Sequence, residues 1–122
     1  MARKIAPARK LLLNKLREHE VPSALLVGAQ ATIVARGLPD DETSAEVIGY
    51  FMYLEFPNGK VAGLILRWRD EAKFFKTTDG VISQYQMFHP NDRNLTLPLL
   101  PQMRSEEEFW AFISKKNESL QT

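Results

Sequence analysis

The longest apolar stretch of the chain, Val47 to Trp68, reads VIGYFMYLEFPNGKVAGLILRW and carries a turn signal near its centre. Asn58-Gly59 predicts a two-residue hairpin loop, because both residues accept the positive φ that a type I′ turn demands. That turn sets Phe56 opposite Val61, Leu54 opposite Gly63, Met52 opposite Ile65 and Tyr50 opposite Arg67. Glu55, Tyr53, Phe51 and Gly49 then meet Ala62, Leu64, Leu66 and Trp68 on the second face. Both faces are apolar through the middle, whereas a strand with one wet face alternates. The pattern therefore predicts a hairpin at the centre of a sheet with cover on each side.

Upstream, Pro7 can open a helix, and Ala8, Leu11, Leu12, Leu13 and Leu16 form an apolar arc that runs to Glu20, where Pro22 ends it. Ala31 to Arg36 reads as a strand, while residues 24–30 fit either a short strand or a helical turn. Gly37 to Glu46 is a polar loop rich in turn formers. Downstream, Asp79-Gly80 signals a second hairpin with Phe74 opposite Tyr85 and Ala72 opposite Met87, and Lys73, Lys76, Gln84 and Gln86 place it near a sheet edge. The three prolines of His89 to Gln102 make that segment an extended cover or edge. Ser105-Glu106-Glu107-Glu108 is a capping box, followed by a helix with Phe109, Phe112 and Ile113 on one face and Trp110 beside them. The expected architecture is a single α+β domain over 1–122, a mostly antiparallel β-meander of about five strands flanked by an N-terminal and a C-terminal helix. Short flexible ends are expected at about 1–5 and 117–122.

Composition narrows the class. The chain has 122 residues, 44% hydrophobic and 25% charged, which suits one ordinary globular domain. No apolar run approaches the roughly 18 residues of a membrane helix, and the first residues lack the apolar core of a signal peptide, so no membrane association and a cytoplasmic location are expected. The absence of cysteine excludes disulfides, thiolate metal sites and cysteine nucleophiles. A net charge of +1 conceals an uneven distribution. Arg3, Lys4, Arg9, Lys10, Lys15 and Arg17 make the first twenty residues basic, and Asp40, Asp41, Glu42 and Glu46 make the 37–46 loop acidic.

The inventory of reactive groups is thin. His19 and His89 have no spacing that joins them, so neither a metal site nor a cofactor is expected. Pro39-Asp40 with Glu71-Ala72-Lys73 superficially resembles the proline-aspartate and acid-x-lysine pattern of metal-dependent nucleases. So short a pattern recurs by chance and Glu71 falls at a bend, which places a small metal-dependent hydrolase or nuclease last. No nucleophile elbow and no Gly-rich phosphate loop occurs. The remaining reading is a small non-enzymatic module that binds another protein, as an inhibitor, adaptor or immunity-type protein does, with the acidic Asp40, Asp41 and Glu42 loop among its candidate surfaces. The alternative is nucleic-acid binding through a basic N-terminal helix (Arg9, Lys10, Arg17) and a basic-aromatic strand (Arg67, Arg69, Lys73), in which alternation sends Trp68 to the opposite face, with Phe74 and Phe75, into the core. A sheet edge or the aromatic hairpin face offers a route to a homodimer.

Overall fold

The computed structural model describes residues 14–119. Four strands form one mixed sheet in the order β1-β4-β3-β2. Its centre is the antiparallel pair β3 (Val47–Glu55) and β4 (Val61–Ile65), with β2 (Gln30–Gly37) antiparallel to β3 and the three-residue β1 (Lys15–Arg17) parallel to β4. The chain is thus α+β, but the five-stranded antiparallel meander is replaced by a four-stranded mixed sheet. Three helices, α1 (Val21–Leu26), α2 (Thr78–Phe88) and α3 (Glu106–Ser119), cover it.

The prediction for the central hairpin holds in its main point, since both faces are buried. On one face Ile33, Met52, Leu54 and Leu64 pack with Val21 and Ala24 of α1 and Val81 and Phe88 of α2. On the other, Val34, Phe51, Tyr53 and Val61 pack with Phe109 and Ile113 of α3. Phe51 stacks on Phe109 with ring centres 4.7 Å apart. Neither hairpin face is open to a second copy of the chain.

The register differs from the two-residue turn by one position. Tyr53 faces Gly63 and Leu54 faces Ala62, because Phe56 N–H donates to Lys60 O and the loop contains Pro57, Asn58 and Gly59. A two-residue loop on Asn58-Gly59 would require an N–H from the residue before it, and Pro57 has none. Proline instead enters the turn, Gly59 takes φ +90°, and Asn58 keeps a negative φ, which a type I′ turn forbids. The result is the three-residue loop with a glycine at its positive-φ position. Gly63 thereby lies against Phe109 and Trp110 of α3, where a Cβ would come within 2.7 Å of both rings.

Two further expectations are corrected. Asp79-Gly80 starts α2 in place of a second hairpin: Thr77 is its N-cap, and Thr77 Oγ1 accepts from Gly80 N–H at 3.0 Å. Val81, Gln84 and Phe88 then fall on the buried side at helical spacing. The N-terminal helix from Pro7 lies mostly outside the described residues, and its described part is β1 followed by a 3-10 turn over Glu18–Glu20. Pro22 opens α1 instead of ending a helix, since the first turn needs no N–H there. Residues 21–26 settle as helix, closed by Gly28 at φ +98° with Ala29 N–H donating to Ala24 O at 3.0 Å.

The 89–102 segment covers the outer edge of β2. Ala31 N–H donates to His89 Nε2, Ala35 N–H to Gln102 Oε1 and Gly37 N–H to Met103 O. These bonds block the edge at alternate positions against strand addition. At the far end of the chain, where fraying is expected over 117–122, residues 120–122 lie outside the described residues, but α3 continues to Ser119 and Asn117 is bonded. Its Oδ1 accepts from Val61 N–H at 2.8 Å, and its Nδ2 donates to Val61 O at 2.9 Å and to Asn14 Oδ1 at 2.6 Å.

Candidate binding surface

The sequence-predicted residues divide by what the fold does with them. Arg9 and Lys10 lie outside the described residues. Arg17, at the end of β1, is a tether: its guanidinium reaches Leu66 O at 2.7 Å, Arg69 O at 3.1 Å, Arg67 O at 3.2 Å and Asp70 Oδ1 at 2.6 Å. These bonds hold the 66–71 bend that follows β4. Lys73 ties that bend to α2 through Gln84 Oε1 at 2.6 Å, and to Glu18 at 3.4 Å. Gln84 is 5% exposed, so its amide oxygen is a buried acceptor that the ammonium satisfies.

At the tip of the same bend the structure overturns the strand alternation. Arg67 to Arg69 lie beyond β4, Trp68 is 84% exposed and not core, and the Arg67 guanidinium sits over its ring at 5.1 Å. Arg69 pairs with Glu71 at 3.6 Å. Phe75, by contrast, is buried as expected, and Phe74 is half-buried against Phe51.

The acidic loop is held by a residue that sequence reasoning passed over. Arg104 donates to Leu38 O, Asp41 O, Glu42 O and Ser44 O at 2.7 to 3.2 Å, pinning the loop by its backbone. Asp41 accepts from the hydroxyl and the N–H of Thr43, which hold its carboxyl below the usual range. Asp40 and Glu42 are exposed. Asp40 and Glu71 are not brought together with Lys73 in any metal-holding group, and among the described residues no set of three or more His, Asp or Glu side chains converges.

The surface that gathers exposed apolar side chains is α1 and its surroundings. A groove of ≈ 480 Å³ runs between α1 and α2, lined by Glu18, His19, Pro22, Leu25, Arg67, Met87 and Phe88. A second, of ≈ 650 Å³, lies on the other side of α1 between Leu16, His19, Val27 and Phe56. Leu26 is 88% exposed, Val27 63% and Met87 66%. A six-residue helix ending in a left-handed Gly28 turn has too few positions to bury all of its apolar residues, and Leu26 and Val27 fall on its outer side. The two grooves meet at His19. Leu99 and Leu100, near the β2 edge, are also exposed.

One titratable cluster lies apart from this surface. His89 stacks against Tyr85 with ring centres 5.0 Å apart, and the Tyr85 hydroxyl donates to Asp92. Burial and then the Asp92 carboxylate push the Tyr85 phenol up to about 12, while the same hydrogen bond, with Asn94 N–H, holds Asp92 low. His89 Nε2 is committed to Ala31 N–H at 3.0 Å. The group fastens the 89–94 turn to α2.

Comparison of the chain with protein-family models, with curated proteins and with solved structures gave no match. Among the described residues no helix is long and apolar enough to cross a membrane.

Proposed function

We propose that the chain is a non-enzymatic binding module whose partner is another protein, docked over α1 and the two grooves beside it. The observation that supports this reading is the concentration of exposed Leu26, Val27 and Met87 around concave apolar surface. Contiguous exposed apolar side chains mark interaction sites more often than scattered ones do, and methionine adapts its shape to what it meets. Glu18, Glu20 and Arg67 supply a polar rim of mixed sign around the grooves, the arrangement of an interface core with a wettable border. A cytoplasmic site of action accords with the absence of cysteine.

The test is affinity capture with the full chain and with Leu26→Glu/Met87→Glu, two substitutions at exposed positions, with the fold of the variant checked by circular dichroism and thermal unfolding. The expected result is a protein retained by the parent and lost by the variant. Equal recovery by both would refute the assignment of this surface.

A second reading rests on the 66–71 bend. An exposed Trp68 beside Arg67 and Arg69, on a loop held by Arg17, suits base stacking with phosphate contact. Anisotropy of labelled single-stranded oligonucleotides at two salt concentrations decides it. Binding that weakens with salt at a log-log slope of roughly 0.7 per phosphate, and that is lost in Trp68→Ala, would favour nucleic acid over protein.

A further inference from the structure

Two of the described arginines aim their guanidinium N–H groups at backbone carbonyls, Arg17 at the 66–69 bend and Arg104 at the 38–44 loop. Arg36, near the end of β2, does not. Its guanidinium lies over two rings, 5.1 Å from the centre of Phe74 and 5.7 Å from that of Phe51. Its Nε is buried and has no hydrogen-bond partner. Among the described residues neither terminal amino group forms a hydrogen bond or ion pair, and Arg36 as a whole is only half-buried.

The sequence builds this arrangement from its glycines. Arg36 pairs with Gly49 across β2 and β3, and Phe74 fills the space where a Gly49 side chain would stand. The Phe74 ring packs at 5.5 Å on Phe51, and Phe51 stacks on Phe109 of α3, so the aromatic platform under the guanidinium is fixed by the core. Next to Arg36, a Cβ on Gly37 would lie 2.8 Å from Arg104 Nη1, which brings a second positive charge close by. All of Arg104's amino contacts go to loop carbonyls, so it adds field without offering donors.

We infer that Arg36 is a carboxylate-binding site, in which the paired terminal amino groups grip both oxygens of a carboxylate end-on. A planar fork held over two aromatic rings loses little freedom on binding, and its desolvated Nε edge strengthens the charge-assisted bonds at the other end. A carboxylate matches one guanidinium in shape and in charge. A phosphate dianion would lack a second set of donors, because the Arg104 amino groups are taken up by loop carbonyls. The site is on the α3 face of the sheet and does not depend on the grooves at α1, so it stands or falls separately from the protein-docking reading.

The test is a set of NMR titrations of the full ¹⁵N-labelled chain at constant ionic strength. The probes are acetate, for a free acid, a capped aspartate amide, for a protein side chain, and methyl phosphate, with sodium chloride as the blank. The expected result is a saturable shift of the Arg36 and Gly37 resonances with both carboxylates, with midpoints on the order of tens of millimolar, while the Arg17 and Arg104 Hε resonances stay still. The probe with the lower midpoint names the source of the carboxylate. Arg36→Lys, which keeps charge but loses the fork, should raise the midpoints roughly tenfold. Arg36→Met, which keeps length and removes the buried Nε, should abolish the response with Tm unchanged or higher. Three results would each overturn the inference: shifts that match chloride, a lower midpoint for methyl phosphate than for acetate, or a carboxylate response that survives in Arg36→Met.

Discussion

Replacing Asn117 by alanine tests how the C-terminal helix is fastened to the sheet. Asn117 makes three bonds, taking the Val61 N–H and giving to Val61 O and Asn14 Oδ1. Val61 is 1% exposed and opens β4, so water does not replace the lost amide. A buried backbone group left without a partner costs about 1 to 3 kcal/mol, and the bonds to Val61 O and Asn14 add to this. Alanine recovers about 0.5 kcal/mol through its higher helix propensity. The net loss is therefore about 2 kcal/mol, a fall in Tm of roughly 7 °C for a chain of this size. Urea unfolding should show a lower midpoint with an unchanged slope, and hydrogen exchange at Val61 should quicken more than at Leu54. Asn14→Ala alone should cost less, about 0.5 to 1 kcal/mol, since it removes one side-chain bond. A loss under about 0.5 kcal/mol in Asn117→Ala would show that the helix is held by Phe109 and Ile113 alone and would refute the reasoning.

Other outcomes follow from single features. Arg104→Met should leave the four carbonyls of the 38–44 loop to water, lower stability by about 1 to 2 kcal/mol and speed exchange at Thr43 and Ser44, measured by hydrogen exchange. Gly28→Ala should cost more than Gly59→Ala in urea unfolding, because both sit at positive φ but only Gly28 also meets Pro57, with a Cβ 2.9 Å from its Cγ. Asp92 is held below the ordinary carboxylate range when folded, so its contribution is present above that range and is lost as pH falls through the folded value. Asp92→Asn should therefore flatten the acid limb of stability, and it should bring the Tyr85 titration, followed by ultraviolet absorbance, down from about 12. Trp68→Ala should change stability by less than about 0.5 kcal/mol, since the ring is 84% exposed, and should remove most of the acrylamide-quenchable fluorescence.

What could be read from the sequence was what burial dictates directly. Phe51, Met52, Tyr53 and Leu54 are apolar on both faces, and that alone called for a central strand covered on both sides. The Ser105 cap and the Phe109/Ile113 spacing gave α3, and Ser105 Oγ does accept from Glu108 N–H at 3.1 Å. The Glu108 carboxylate returns its bond to Arg104 N–H, one residue earlier than the motif implies. The failures came where one local signal serves two structures. Asp-Gly suits a hairpin turn, yet after Thr77 the same pair begins a helix, and the decisive clue was Val81, Gln84 and Phe88 at helical spacing. Pro57 shifted the register by one through a hydrogen bond it cannot make. A three-residue β1 carries no period at all, and its parallel pairing with β4 depends on contacts distant in sequence. The candidate surfaces were hardest to foresee. Arg17 and Lys73 looked like free cations because their partners are backbone carbonyls and a buried glutamine, whereas Trp68 looked like core because it follows an apolar strand. Leu26 and Val27 gave no sign that α1 stops before it can bury them.

The claim that the α1 surface receives a protein is tested most directly by hydrogen exchange on the full chain, alone and with the captured partner. The account predicts slowed exchange centred on residues 21–28 and 84–88 and extending to 16–20, Phe56 and Arg67, which complete the walls of the two grooves. Protection at 66–71 or 38–46 with residues 21–28 unchanged would contradict it.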